Sequence, residues 1–302
     1  MLSAFLAAPG VAVGDEGGVS FWLPGQYASF AALPPEVGFS MPLVTYFYAG
    51  DADGGKAFDF GGELQLGVDA RYLGQFVIPT YSPNFEVLGG RPAVSMTFLV
   101  ANSDVSSDLT IGRFSGGASD NVSGVGDLYP TAQLFWTEGV HNWMAYVTGG
   151  IPVGSYEAGR LANIGLGHAS IDFGGAYTFL DPKTGWEMSA TAGVTFNFEN
   201  PDTDYTSGTS LHLDWAVSRF LSEQLFLGLV GFAYKQISDD SGGLSDQLGG
   251  FRSETYGVGP QIGYTFYADG KPVFTSLRGY WEFAVENRTK GGAAYLTVAV
   301  PF

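Results

Sequence analysis

The chain has no cysteine. That excludes disulfides, thiolate catalysis and cysteine-ligated zinc. Charge is also scarce: Asp, Glu, Lys and Arg make up 14% of 302 residues, against about 25% in ordinary soluble domains. Much of the surface is therefore expected to face something other than water. Cations are the scarcer sign, 13 Lys and Arg against 30 Asp and Glu, for a net charge of −17. This argues against nucleic acid and against docking on anionic lipid. The three histidines, His141, His168 and His212, are scattered, so no transition-metal site is expected. No apolar run reaches the 18 or more residues of a transmembrane helix. What the chain does have is glycine, 45 residues of it, and 15% aromatics. Both suit a sheet with many turns and aromatic girdles.

The stretch 171–219 sets the pattern. IDFGGAYTFL (171–180) is turned by DPKTG, WEMSATAGVTFNFE (186–199) runs back, NPDTDYTSG turns it again, and TSLHLDWAVSR (209–219) returns. In the middle segment Trp186, Met188, Ala190, Ala192, Val194, Phe196 and Phe198 share one face, and Glu187, Ser189, Thr191, Thr195, Asn197 and Glu199 the other. Alternation at period two marks a strand with one apolar and one polar face. Its length exceeds the roughly 9–11 residues that cross a bilayer at a tilt.

The same unit recurs along the chain. Residues 1–14 read as the remnant of a secretory signal peptide. Residues 15–37 (with SFWLPGQYASFAALPPE) are aromatic, proline-rich and not alternating. They form either an extended periplasmic tail or a plug that places Trp22, Tyr27 and Phe30 in the bore. Residues 38–302 form the barrel, with strands expected near 39–49, 58–79, 91–103, 126–137, 142–153, the three above, 225–237, 253–267, 273–286 and 292–302. Short turns (DPKTG, LSEQ, ADGK) alternate with longer polar stretches near 104–124, 154–169 and 238–252. The fold class is all-β: a membrane-spanning, antiparallel, up-and-down barrel of about 12 strands, with short periplasmic turns and longer extracellular loops. Closure leaves no unpaired edge in lipid.

Several segments carry a resemblance: GDLYP (126–130), PVGSYEAGRLANIG (152–165), TFLDPKTGWEMSA (178–190), TFNFENPDTDYTSG (195–208), HLDWA (212–216), GPQIGY (259–264) and AYLTVAVP near the end. Together they are similar to the outer-membrane family called "putative MetA-pathway of phenol degradation". The resemblance spans about Phe21 to Phe302. It implies a Gram-negative outer-membrane channel associated with aromatic or hydrophobic compounds, and it brings no residue-level site.

With the apolar face on lipid, the polar face lines the bore. That places Glu63, Gln65, Asp69, Arg71, Tyr129, Gln133, Asp172, Glu187, Asn197, Glu199, His212, Asp214, Gln261, Arg278, Tyr280, Glu282 and Glu286 in the lumen. Such a lining is either a paired structural network or a selectivity surface for cations and neutral polar solutes. Tyr129, Tyr156, Phe114 and Tyr205 are candidate aromatic contacts near the mouth. No catalytic, cofactor or metal site is expected. Asp202 and Asp204 read as a capped turn, since the later ligands of a calcium loop are missing.

The expected function is passive uptake of small aromatic or hydrophobic molecules. The alternatives are a structural or assembly barrel with a closed lumen and a membrane-bound lipid hydrolase. The hydrolase reading requires a serine within hydrogen-bond reach of His212 (Ser189 or Ser210 are the candidates) or of His141, on the lipid face. The expected partners are outer-membrane lipid, lipopolysaccharide, the barrel-assembly machinery and the solute itself.

Overall fold

A computed structural model describes residues 18–300 other than 53–56, 61–62, 112–113, 243–244 and 246–249. Twelve antiparallel strands close on themselves. They are β1 (Leu43–Asp51), β2 (Val68–Val77), β3 (Arg91–Ile111), β4 (Tyr129–Glu138), β5 (His141–Gly150), β6 (Ser170–Asp181), β7 (Trp186–Asn197), β8 (Ser210–Phe220), β9 (Leu225–Gln236), β10 (Glu254–Ala268), β11 (Lys271–Glu286) and β12 (Lys290–Ala299). Each pairs with its sequence neighbour, and β12 returns to β1 through a ladder from Lys290↔Asp51 to Val298↔Leu43. The expected signal remnant 1–14 lies outside the described residues.

Alternation and turn chemistry produce this order. Along β7 the odd residues Glu187, Ser189, Thr191 and Thr195 are buried, while Trp186, Met188 and Phe196 stand exposed. The same exposed belt runs through Val94, Phe98, Leu229, Leu277 and Trp281. In water such a belt would be a liability; in lipid it is the solvated face. The turn between β10 and β11 is Asp269–Gly270, both at positive φ (50° and 79°). That is the chemistry of a two-residue hairpin whose twist matches its strands.

The wall differs from expectation in three places. The expected strand 58–79 is broken: Glu63–Leu66 pairs with Ala57–Phe60 in a separate hairpin, and the barrel strand starts at Val68. The first strand is also divided, since Gly38–Ser40 pairs with Thr80–Ser82 and the barrel strand begins at Leu43. The polar stretch 104–124 is a β-ribbon: β3 continues to Ile111 and pairs with Phe114–Val125, from Val100↔Val125 outward. One face of this ribbon is buried, with Val105 and Val122 packed against Leu161 and Ala162, but these apolar residues are sparse among Ser, Asp and Gly, which concealed it. β3 exchanges this partner for β4 between Val100 and Thr97, across Gly126–Leu128.

The exposed belt generates a direct prediction. Leu229→Lys, at the middle of β9, should cost about 2–4 kcal/mol of folding stability in lipid. Glu223→Lys in the β8–β9 turn should change it by less than about 0.5 kcal/mol. Denaturant titration in lipid vesicles measures both.

Candidate functional site

The lumen is divided lengthwise. One side is filled by the segment before β1; the other is an apolar cavity.

The filled side is built from buried acceptors on the strands. Asp214 on β8 accepts the Gly25 N–H at Oδ1 (2.8 Å) and the Tyr27 N–H at Oδ2 (3.1 Å). Glu187 on β7 accepts the Phe30 N–H (2.9 Å) and the Ser29 hydroxyl (2.6 Å). The Thr178 hydroxyl accepts the Ala32 N–H (3.0 Å). Donors answer the carbonyls: Arg278 reaches Gly25 O and Gln26 O (3.2 and 2.8 Å), and the Tyr280 and Tyr295 hydroxyls reach Gly25 O and Pro24 O (3.1 and 2.8 Å). Gln261 donates to Ser29 Oγ (2.7 Å). An irregular segment inside a barrel needs partners for its backbone, and these side chains supply them. Gly25 sits at φ +80°, and a Cβ there would meet the Tyr280 ring at 2.7 Å. The bend at Gly25 therefore depends on glycine.

Three aromatics of this segment lie in the bore. Trp22, 1% exposed, stacks on His212 with ring centroids 3.4 Å apart and packs near Tyr27 and Tyr146. Gln133 donates to the Tyr27 hydroxyl (3.3 Å). Phe30 sits edge-on to Phe226 and beside Phe220 and Phe274. Beneath Trp22, Asp172 accepts from the Tyr146 hydroxyl (2.7 Å), the Thr195 hydroxyl (2.6 Å) and His212 Nε2 (2.8 Å). His212 thus bonds a carboxylate. Ser189 bonds Thr178 and Glu187, and Ser210 bonds Tyr234, so neither has the histidine as partner.

The open side encloses a cavity of about 410 Å³ walled by Val44, Tyr46, Tyr72, Phe76, Leu99 and Tyr129, with Trp22 and Leu23 of the inner segment along one edge. The loop 154–167 roofs it. Asp127 pins both ends of that loop, taking the Gly154 N–H at Oδ1 and the Leu166 N–H at Oδ2, each at 2.8 Å. Asp120 on the ribbon holds its middle, pairing with Arg160 (2.7 and 3.1 Å) and accepting the Ala162 N–H (3.3 Å). Leu161, Ala162 and Ile164 are thereby buried.

Of the residues expected to line the lumen, Tyr129, Gln133, Asp172, Glu187, Asn197, His212, Asp214, Gln261, Arg278, Tyr280 and Glu282 lie on the inner face, most of them bonding other wall residues or the inner segment. Four do not. Asp69 and Arg71 are exposed, although Arg71 also borders the cavity, while Val68, Ala70 and Tyr72, alternating with them, face inward. The lumen is apolar in this sector, so the apolar face of β2 turns in. Glu199 is exposed because β7 ends at Asn197. Glu286 is exposed at the tip of β11, past Ala284 at positive φ and a register shift opposite Glu254 and Tyr256. The side chains of Glu63, Gln65 and Phe114 lie outside the described residues. Tyr156 lines the cavity, whereas Tyr205 is buried in its loop against Asp240. Sequence reasoning missed Tyr46, Tyr72, Asp120 and Asp127. The available signal was the pair of tyrosines two apart, Tyr46 and Tyr48, on the first expected strand.

The roof carries a pH prediction. Arg160 holds the Asp120 carboxyl below the usual carboxylate range. A depressed carboxylate contributes fully above its ordinary pKa and is lost only as pH falls through the lowered value. Asp120→Asn should therefore speed deuterium exchange of the Ala162 amide at neutral pH, an effect that strong acid alone produces in the unaltered protein. The Leu166 amide, held by Asp127, should stay protected.

The described fold matches solved barrels. It superposes on the COG4313 outer membrane channel from Pseudomonas putida F1 with TM-score 0.68 and 18% identity, over 90% of this chain and 98% of that one. The β domain of the Bordetella autotransporter BrkA aligns with TM-score 0.50 and 11% identity, over 87% and 99% of the two chains. No curated protein matches the sequence. A family model matches residues 48–298, nearly the whole barrel. The chain is an integral Gram-negative outer-membrane barrel and belongs to the family described as Putative MetA-pathway of phenol degradation.

Proposed function

We propose that this protein carries small hydrophobic or aromatic molecules across the outer membrane by passive diffusion, with the apolar cavity as the binding step. The observation behind this reading is the cavity itself: about 410 Å³ of space, walled mainly by tyrosines and aliphatics, beside a lumen otherwise filled. Pockets of this size and character suit small apolar ligands. A water-filled pore for sugars or ions needs a polar, continuous bore, and residues 20–33 stand in its way. The similar channel from Pseudomonas putida and the family description point in the same direction.

A path out of the cavity accompanies this reading. Ser95, Thr131 and Thr148 border both the cavity and a second hollow that also includes the outward Val94 and Ala132. Pro130, opposite Met96, removes one N–H from the ladder there. Outer-membrane lipid contacts the apolar belt; lipopolysaccharide contact and delivery by the barrel-assembly machinery belong to the same proposal.

The second reading is a structural barrel with a closed lumen, favoured by Trp22, Tyr27 and Phe30 packed within the bore. Uptake of N-phenyl-1-naphthylamine by intact, lipopolysaccharide-covered cells separates the two. A channel for hydrophobes should raise the uptake rate above that of cells lacking the protein, and Leu99→Trp, which fills the cavity, should return it to that level. Equal rates in all three would support the structural barrel.

A further inference from the structure

The loop over the cavity is braced as one piece. Its ends meet in a tight neck: Ile164 and Gly165 both give their N–H groups to the Ser155 carbonyl (3.1 and 3.0 Å). A Cβ on Gly154 would meet the Gly126 backbone at 2.7 Å, and one on Gly165 would meet Gly154 at 3.0 Å. The tip is tied by Asn163. Its Oδ1 accepts the Glu157 N–H (3.0 Å), and its Nδ2 donates to the carbonyls of Glu157 (3.1 Å) and Arg160 (3.4 Å). Residues 154–165 are therefore an Ω-loop, compact and with its ends together. Among the described residues no strand passes through it.

Beyond the neck, side chains fasten the loop to the barrel. Asp120 on the ribbon holds Arg160 and the Ala162 N–H, and Asn200 donates to the Tyr156 hydroxyl (2.7 Å). Leu161 and Ala162 pack on Ala52, Val68 and Val105. The Arg160 and Asp120 side chains are 34% and 23% exposed, so water can take over their partners when they part, and such a pair holds weakly. Tyr156, Leu161 and Ile164 of this loop line the cavity. The loop's position thus decides whether the cavity meets the outer solution.

We propose that residues 154–165 form a lid that swings on the Gly154–Gly165 neck, latched by Asp120 and Arg160, and admits a hydrophobe to the cavity from the outer side. This rests on the reading of the cavity as a binding step. Asp127 is the hinge pin: it holds the Gly154 and Leu166 amides at the two ends of the loop, and these stay in place while the tip moves. Opening exposes Leu161 and Ala162 to water, and their reburial drives closure.

The absence of cysteine makes the lid addressable. Asp120→Cys with Arg160→Cys, treated in intact cells with 1,2-ethanediyl bismethanethiosulfonate, tethers the tip to the ribbon, and dithiothreitol releases it. The tether should bring uptake of N-phenyl-1-naphthylamine down to the level of cells lacking the protein. Release should restore it, and Asp120→Cys alone, treated likewise, should keep its rate. Uptake by the tethered form equal to that of the released form would overturn the lid and leave the cavity reading standing, with entry through the wall. No uptake above that of cells lacking the protein, even from the unaltered chain, would overturn the cavity reading and the lid with it. Should the double variant lose its heat-modifiability on gels, Asp120→Asn decides alone. By loosening the latch it should raise the initial rate about two- to fivefold, the range such exposed pairs are worth; a rate at or below that of the unaltered chain would overturn the lid.

Discussion

The interior depends on backbone N–H groups meeting buried carboxylates. Asp214 and Glu187, on adjacent strands, each accept donors from an irregular segment that has no sheet of its own. The arrangement is reciprocal. Without the segment, two acids would stand in the bore with fewer donors; without Asp214, the N–H groups of Gly25 and Tyr27 would be buried unpaired, and without Glu187 the Phe30 N–H would keep only the Ser189 hydroxyl. Charge-assisted bonds to amides are stronger than neutral ones, and an uncompensated buried charge is costly. Arg278 completes the exchange by taking the carbonyls on the other side of the bend.

From this follows the asymmetry of the lumen. Polar strands β6 to β11 hold the segment, and the aromatic and aliphatic strands β12, β1, β2 and β3 face what space is left. The cavity is therefore bounded on one edge by the segment and roofed by a loop that two aspartates fasten. A largely apolar chamber inside a bilayer-embedded wall is chemically suited to solutes that partition out of water.

Much of this was legible in the sequence. Period-two alternation in WEMSATAGVTFNFE gives the strand, its length gives the membrane, and DPKTG, LSEQ and ADGK give the end with short turns. For the aromatic, non-alternating stretch 15–37 the sequence left two places open, a periplasmic tail or the bore, and composition alone does not choose between them; the buried acceptors that hold it lie far away in sequence. The faces of β2 were misread for a physical reason: alternation separates apolar from polar and does not say which side is inside. Where lumen and lipid are both apolar, Val68, Ala70 and Tyr72 can face either. The 104–124 ribbon was hidden because the apolar residues of its buried face, Val105 and Val122, are too sparse among Ser, Asp and Gly to show an alternation. Asp120 and Asp127 act on backbone far away in sequence, a relation that spacing does not encode.

The central claim is that buried acids hold the segment inside and that its presence closes the pore. Single-channel recording in planar bilayers tests it, comparing the full chain with one lacking residues 20–33. The account predicts little conductance from the full chain, and from the shortened one a larger, cation-preferring conductance, because Glu187 and Asp214 would then face water without the segment's donors. Equal conductance in the two, or anion preference in the shortened chain, would contradict it.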